Sequence, residues 1–519
     1  MLSSLAACGG SPPQIIDYSP ERGAIDVSSA APIHITFDHD VDKASVESRL
    51  SLVPATTGTV AWLGPRQLEY KHSTLQPSTT YEVVLQAGYR DLAGNAYALR
   101  HHWSFTTEGP PIVAGSNPAN SENDVDPAAY LSIDFTREMD ATSLASAITI
   151  EPFVPFSVRL DPTDGRRAVV APDSLLDPLT TYTVNVGTAA LDAHGNQLDR
   201  NQSFVFHTGA TRPLRHWVAF AAALADGSSG GVWIVNESGF PRRVFDGPSV
   251  QSFSWSPEGS SLLIQIGAAT WSAYTPGGTM TPLPFTATWA GALTAGLGYV
   301  YIDTSGALHR WSVDASDEII AAGVLQAATS PSGQRVAFVE TDGTTSTVWG
   351  YDVGLRSRYE LSTEASTVSS LSWSPAGNRI AYLRQDAGGA LALRVRSLTG
   401  QAATTTIASG DIGRPTWLPD SSHVIFAAGI NTAGGTLRKA FLLSVIAPPA
   451  ALTAALAIPS SPALDVADPV PSPDGHQIAF VSQDQVWMMN ADGTRPTALT
   501  RFDPESFPYS CRTPAWTRS

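Results

Sequence analysis

Five times between residues 253 and 480 the chain repeats one short unit: an apolar strand, a Ser-Pro-x-Gly turn and a second apolar strand. The copies are Phe253–Ile264, Ala328–Val339 and Leu371–Tyr382, then the degenerate Pro415–Phe426 and Pro469–Phe480. Proline presets φ for the first turn position, and glycine relieves the strain later in the turn. Most units are followed by another apolar strand, such as Val486-Trp-Met-Met-Asn490, an Asp492-Gly493 turn and a Thr-rich fourth strand. Four strands in about 40 residues make one blade of a radial β-repeat, which buries its faces only against neighbouring copies.

The spacing is uneven, and the gaps are informative. Between residues 253 and 328, Tyr299-Val-Tyr-Ile302 and Leu308-His-Arg-Trp-Ser312 supply strands without the turn, so a cryptic blade is expected near Thr288–Ala322. Between 415 and 469 one blade carries a long Ala/Pro insertion at 445–468. Thr513–Ser519 reads as an innermost strand with no blade after it. Conversely, Trp217–Phe220 and Val232–Val235 read as later strands with no innermost strand before them. Joining the two closes a ring and removes the open edges that invite aggregation. Seven blades are expected, or six if the cryptic one is misread.

A different repeat occupies residues 14–208. Ile35-Thr36-Phe37 answers Ile133-Asp134-Phe135, and Leu75–Tyr81 answers Leu176–Tyr182. Gly94-Asn95 answers Gly195-Asn196, and Trp103–Thr106 answers Phe204–His207, at an offset of 98 residues rising to 101. Tyr81–Leu85 and Tyr182–Val186 place bulky residues on alternating faces, as half-buried strands do. Asp42 and Asp140, each three residues before a Ser, are expected to N-cap a one-turn helix. About seven short strands in roughly 100 residues fit a Greek-key sandwich.

These residues carry two resemblances. Through Asp-x-x-Ser, Pro-x-Thr-x-Tyr and Gly-Asn, both N-terminal copies resemble bacterial Ig-like domains of the SbsA type, which implies a spacer or adhesion stalk. Through its five turn units, residues 215–519 resemble the TolB-like propeller, a relative of the WD-type blade, which implies a protein partner in the envelope. The α/β domain usual before a TolB-like propeller is replaced here by Ig-like repeats. The expected fold is all-β: a tether at 1–13, Ig-like domains at 14–108 and 109–209, and a propeller at 214–519 closed by the C-terminal strand.

Net charge is −16, with lysine only at 43, 71 and 439. Such a chain lacks the basic footprint that phosphate-backbone binding needs, so nucleic acid is excluded as an expected partner. Charged residues are 15% and apolar residues 43%, which excludes a solvated disordered chain. The two cysteines, Cys8 and Cys511, form no disulfide framework or CxxC pattern. Leu5-Ala6-Ala7-Cys8 followed by Gly9-Gly10-Ser11-Pro12-Pro13 resembles a bacterial lipobox and its tether. That implies lipidation of Cys8 and an extracytoplasmic, membrane-anchored protein in the periplasm or at the cell surface. Only Met1–Ala7 precede the cysteine, short of a signal peptide's apolar core. The apolar stretch Phe441–Ala457, broken by Pro448-Pro449, falls short of a membrane span.

No GxSxG elbow, HExxH, P-loop or GxGxxG occurs. Ser228 and Ser229 lie in Asp226-Gly-Ser-Ser-Gly-Gly231, which reads as a hairpin turn. Asp38, Asp40 and Asp42 match the first spacings of a calcium loop, but Lys43 and Arg49 stand where its Gly and bidentate Glu belong. His101-His102 adjoin a strand, where neighbours face opposite sides, so one packed and one exposed imidazole are expected. No metal, cofactor or catalytic residue is expected. Propellers bind through loops projecting from a rigid ring. The loops leading into the innermost strands hold Asp411, Arg414, Asp465, Asp468, Tyr509, Cys511 and Arg512. These are either solvated loop residues and an inert thiol, or a recognition face for a protein, peptide or glycan. Two functions stay open. One is a surface binding module on an Ig-like stalk. The other is a structural, S-layer-like component, with polysaccharide hydrolysis or cleavage by a lyase as a remoter alternative.

Overall fold

The computed structural model describes residues 10–212, 214–224, 226, 228–247, 250–275, 280–294, 296–385, 388–399, 404–432, 435–448, 464–502 and 509–517. Cys8 and most of the insertion at 445–468 lie outside them. The chain forms two compact units, one built on the two N-terminal repeats and one on the residues from Thr208 onward. Among the described residues no helix is long and apolar enough to cross a membrane.

The first repeat is a sandwich. Ile15–Ser19, Ile33–Phe37, Gln67–His72 and Gly58–Trp62 form one sheet in that spatial order, and Leu50–Val53, Thr80–Leu85 and His101–Thr106 form the other. Alternation does the sorting: Ile33, Ile35 and Phe37 turn inward to meet Tyr81, Val83 and Leu85 in a shared core. The second repeat has the same plan, with Phe156–Leu160, Arg167–Pro172, Leu131–Phe135 and Val113–Asn117 facing Ile148–Glu151, Thr181–Val186, Gln202–Thr208 and Glu122–Val125.

The recurrent residues act locally. Asp42 accepts from Ser45 N at the start of helix Lys43–Glu47, and Asp140 accepts from Ser143 N at 2.7 Å. The second helix, Ala141–Ala147, is longer than the single turn expected. In Asp91-x-x-Gly94-Asn95, the Asp91 carboxylate takes both the backbone N–H of Asn95 (2.8 Å) and its amide (2.6 Å). Gly94 sits at φ 86°, where a side chain would strain the turn. Asp192, Gly195 and Asn196 repeat the arrangement. The Tyr81 hydroxyl accepts from Gln76 N at 3.1 Å, pinning the strand start to the chain just upstream. His101 packs against Tyr97, while His102 is exposed beside Glu82, as strand alternation requires. Asp40 pairs with Arg66 and Asp42 with Arg90, so the three aspartates of the calcium-like spacing do not converge.

The second unit is a ring of small antiparallel sheets, each meeting the next through its innermost strand. Innermost strands in chain order are Val250–Trp255, Trp289–Ala292, Val324–Thr329, Val368–Trp373, Thr416–Trp417 and Ala467–Pro471. Tyr509–Trp516 completes the circle by pairing with Val218–Leu224, with Val218 opposite Trp516. The cryptic sheet is present: Trp289–Ala292, Tyr299–Ile302, Leu308–Trp311 and Asp317–Ala321. The closing strand begins at Tyr509, four residues before the Thr513 start read from sequence. Tyr509, Cys511 and Arg512 are therefore strand residues rather than loop residues, and Asp468 lies inside Ala467–Pro471.

The turn unit has a side-chain logic beyond Pro and Gly. In each Ser-Pro-x-Gly turn the buried serine hydroxyl accepts the backbone N–H five residues on. The bonds are Ser261 N to Ser256 (3.2 Å), Arg335 N to Ser330, Arg379 N to Ser374 and Gln477 N to Ser472 (each 3.0 Å). In the degenerate copy Ser421 holds φ 57° where the others place glycine, and its hydroxyl accepts from Ala376 N of the preceding sheet.

Candidate binding site in the channel

Several innermost strands carry tryptophans, and three of these stitch sheet to sheet. Trp373 Nε1 donates to Ala328 O (3.0 Å), Trp417 Nε1 to Ser372 O (3.0 Å) and Trp516 Nε1 to Val470 O (2.9 Å). Each indole thus reaches the innermost strand of the preceding sheet. Trp255, on the innermost strand Val250–Trp255, is 4% exposed, yet its Nε1 is buried without a partner among the described residues. A buried unpaired donor costs about 1–3 kcal/mol.

Trp255 lines a cavity of about 610 Å³ together with Trp417, Trp516 and Phe253. That volume is typical of a ligand pocket. Pro257, Pro331, Pro375, Pro419 and Pro473 of the turns contribute its wall, and so do Arg414 and Asp468. Turn prolines and residues at the start of the innermost strands thus border one cavity. Its tryptophans are 4–8% exposed and so form buried wall rather than an open aromatic surface.

The six candidate residues do not form one face. Arg414 and Asp468 line the cavity, are exposed, and have no ion-pair or hydrogen-bond partner among the described residues. Asp411 and Asp465 are instead joined through Arg438, whose Nη1 reaches Asp411 at 2.9 Å and whose backbone N–H donates to Asp465 at 2.6 Å. Tyr509 packs against Trp233 and Phe502 at 5.6 and 5.4 Å between ring centroids. Arg512 is exposed on the closing strand, away from the cavity. The unpaired Trp255 is the channel group that sequence reasoning missed. Its Trp-Ser-Pro motif is the same as that of the paired Trp373, so nothing local marked it.

Cys511 is 1% exposed beside the Thr500 hydroxyl, and burial pushes its thiol up to about 12. The thiolate is the reactive form. In a Cys8→Ser protein no thiol is therefore expected to react with Ellman's reagent at pH 8 until denaturant is added. Prompt reaction of the native protein would show an open closing strand. Because the folded thiol binds its proton more tightly, its contribution to stability is complete below about 9 and is lost as pH rises toward about 12.

Ser228 closes a hairpin by donating to Asp226, as its Gly-rich context implied. A second polar cluster lies in the N-terminal unit, where Glu108, Asp192 and His194 each offer a ligand atom, all within 4.8 Å of one another. Glu108 already accepts from Ser29 N (2.9 Å), His194 Nδ1 (2.7 Å), Asn196 Nδ2 (3.2 Å) and Arg137 Nη1 (3.0 Å). A carboxylate has about four acceptor positions, so this one is satisfied without a cation.

A sequence profile described as bacterial Ig-like domain matches residues 10–107 and again 108–208. Both N-terminal repeats are bacterial Ig-like domains. The paired Asp-x-x-Gly-Asn turns and helix-capping aspartates described above are features of these two Ig-like domains. No curated protein matches the chain. Among solved structures, TolB from Acinetobacter baumannii is similar at 14% identity over 73% of this chain and 85% of its own, with a TM-score of 0.38. A structure assigned as TolB from Agrobacterium tumefaciens follows at 16% identity, covering 57% and 97%, TM-score 0.36. One assigned as a 6-phosphogluconolactonase from Bacteroides uniformis gives 13%, 55% and 95%, TM-score 0.39. At such scores nothing about binding or catalysis follows, and the propeller rests on its own closed ring of sheets.

Proposed function

We propose that this protein is a non-catalytic binding protein of the bacterial envelope, tethered through a lipid on Cys8, whose Ig-like domains carry a seven-bladed propeller that captures a protein partner in its channel. One observation carries the reading: the cavity is lined by a guanidinium (Arg414) and a carboxylate (Asp468), both exposed and without a partner among the described residues. Unpaired polar groups in a concave apolar setting gain most from a ligand that supplies their partners. Opposite charges side by side suit a polypeptide, which offers both charge signs. The absence of a catalytic motif in the sequence agrees with binding over turnover.

A photo-crosslinking amino acid at position 414, in cells of the source organism, is expected to trap one discrete protein. Asp468→Arg should abolish that adduct, whereas a probe at exposed Leu355 should not give it. Absence of any adduct from position 414 would sink the channel reading. The tether is tested by radioactive palmitate: label on wild type, none on Cys8→Ser expressed with its upstream codons. Equal absence of label would leave the channel reading intact and remove the anchor.

A further inference from the structure

The backbone of Glu108 belongs to the first Ig-like domain: its N–H donates to Val27 O and its carbonyl accepts from Ser78 N, both at 2.8 Å. Its side chain belongs to the second. The carboxylate, 3% exposed, is gripped by Arg137 at Oε2 and by His194 and Asn196 at Oε1, where Ser29 N of the first domain also donates at 2.9 Å. Arg137 also reaches back to Asp26 of the first domain, and its Nε donates to Gly109 O at 2.8 Å. A charge-assisted network in a site this dry is strong and orientation-specific.

The same position elsewhere lacks the means to do this. One repeat earlier it is Gly10, which stands over Asn95 much as Glu108 stands over Asn196; a Cβ there would lie 3.0 Å from the Asn95 amide nitrogen. One repeat later it is Gly209. The Asp-x-x-Gly-Asn turn is common to both domains, but only the copy beneath Glu108 adds His194, where the first has Ala93, and Arg137, where the first has His39. Three side chains at this one junction thus depart from the repeat together.

We propose that Glu108 is a clasp that locks the two Ig-like domains into one rigid spacer. The test uses the full chain with Cys8→Ser and spin labels at Thr59→Cys and Ser157→Cys, exposed strand positions of the first and second domain; buried Cys511 stays unlabelled. Pulsed dipolar spectroscopy is expected to give one narrow distance distribution. Glu108→Ala should broaden it and move its maximum, and Arg137→Ala should broaden it less. Circular dichroism melting establishes that each variant is folded. A folded Glu108→Ala protein that keeps the narrow distribution would overturn the clasp. Should Glu108→Ala not fold, Arg137→Ala and Asp26→Ala decide: broadening supports the clasp, and an unchanged narrow distribution in both overturns it.

Discussion

Trp516→Ala is expected to destabilise the propeller by about 3–5 kcal/mol, as loss of a buried aromatic side chain typically does. Trp516 is 8% exposed, packs with Val218, Phe220 and Trp233, and donates its indole N–H to Val470 O at 2.9 Å. It lies in the strand that closes the ring, opposite Val218. Its loss therefore removes packing at the closing sheet and a stitch to the neighbouring one, leaving a carbonyl short of its donor. Weakening closure also exposes the edge of Val218–Leu224, and unpaired edges recruit other chains. Arg512→Ala on the same strand removes an exposed side chain with no partner among the described residues and should stay within about 0.5 kcal/mol. Urea unfolding followed by tryptophan fluorescence, with light scattering for aggregation, compares the two. Equal midpoints would show that the closing strand does not limit the ring's stability.

Glu364→Ala should cost about the same 3–5 kcal/mol, for a different reason: it strands buried partners. Glu364 is 4% exposed and accepts from the Tyr382 hydroxyl at 2.6 Å and from Ser362 at 3.2 Å. Arg394 Nε lies 3.4 Å and Arg384 Nη1 3.9 Å from its oxygens. Without the carboxylate, a fully buried tyrosine hydroxyl and two guanidinium groups lose their counterpart. Glu364→Gln keeps an acceptor and the volume, so it should lose less; equal losses would assign the effect to packing. Tyr382 supplies an independent check. Burial first, then the bond to Glu364, push its hydroxyl up to about 12. The folded state thus holds this proton more tightly than the unfolded chain. Its contribution is whole below about 10 and is lost as pH rises toward about 12. Wild type should consequently lose more stability than Tyr382→Phe between pH 10 and 12, and parallel curves would sink the assignment.

What the sequence determined by itself is whatever a few neighbouring residues enforce. The Ser256 hydroxyl meets the N–H of Ser261, Asp42 meets Ser45, and Asp91 meets Asn95. Because these bonds close within five residues, the residue types alone disclosed the turns, caps and strand faces. From them followed both repeats, the cryptic sheet and the ring's closure. Tertiary structure decided the rest, because the deciding partners are distant in the chain. Arg438, 27 residues from both Asp411 and Asp465, ties up those carboxylates and leaves Arg414 and Asp468 unpaired. The strand Val218–Leu224 extends the closing strand back to Tyr509, turning a presumed loop residue into a packed one. Trp255 shares its Trp-Ser-Pro motif with Trp373, whose indole finds a carbonyl on the preceding sheet, yet its own Nε1 has no partner among the described residues. Glu108 reads as an ordinary linker acid until Ser29, 79 residues before it, and Asn196, 88 residues after it, meet at its oxygen. Local patterns specify which elements form; the burial and pairing of a charge depend on which distant element arrives beside it.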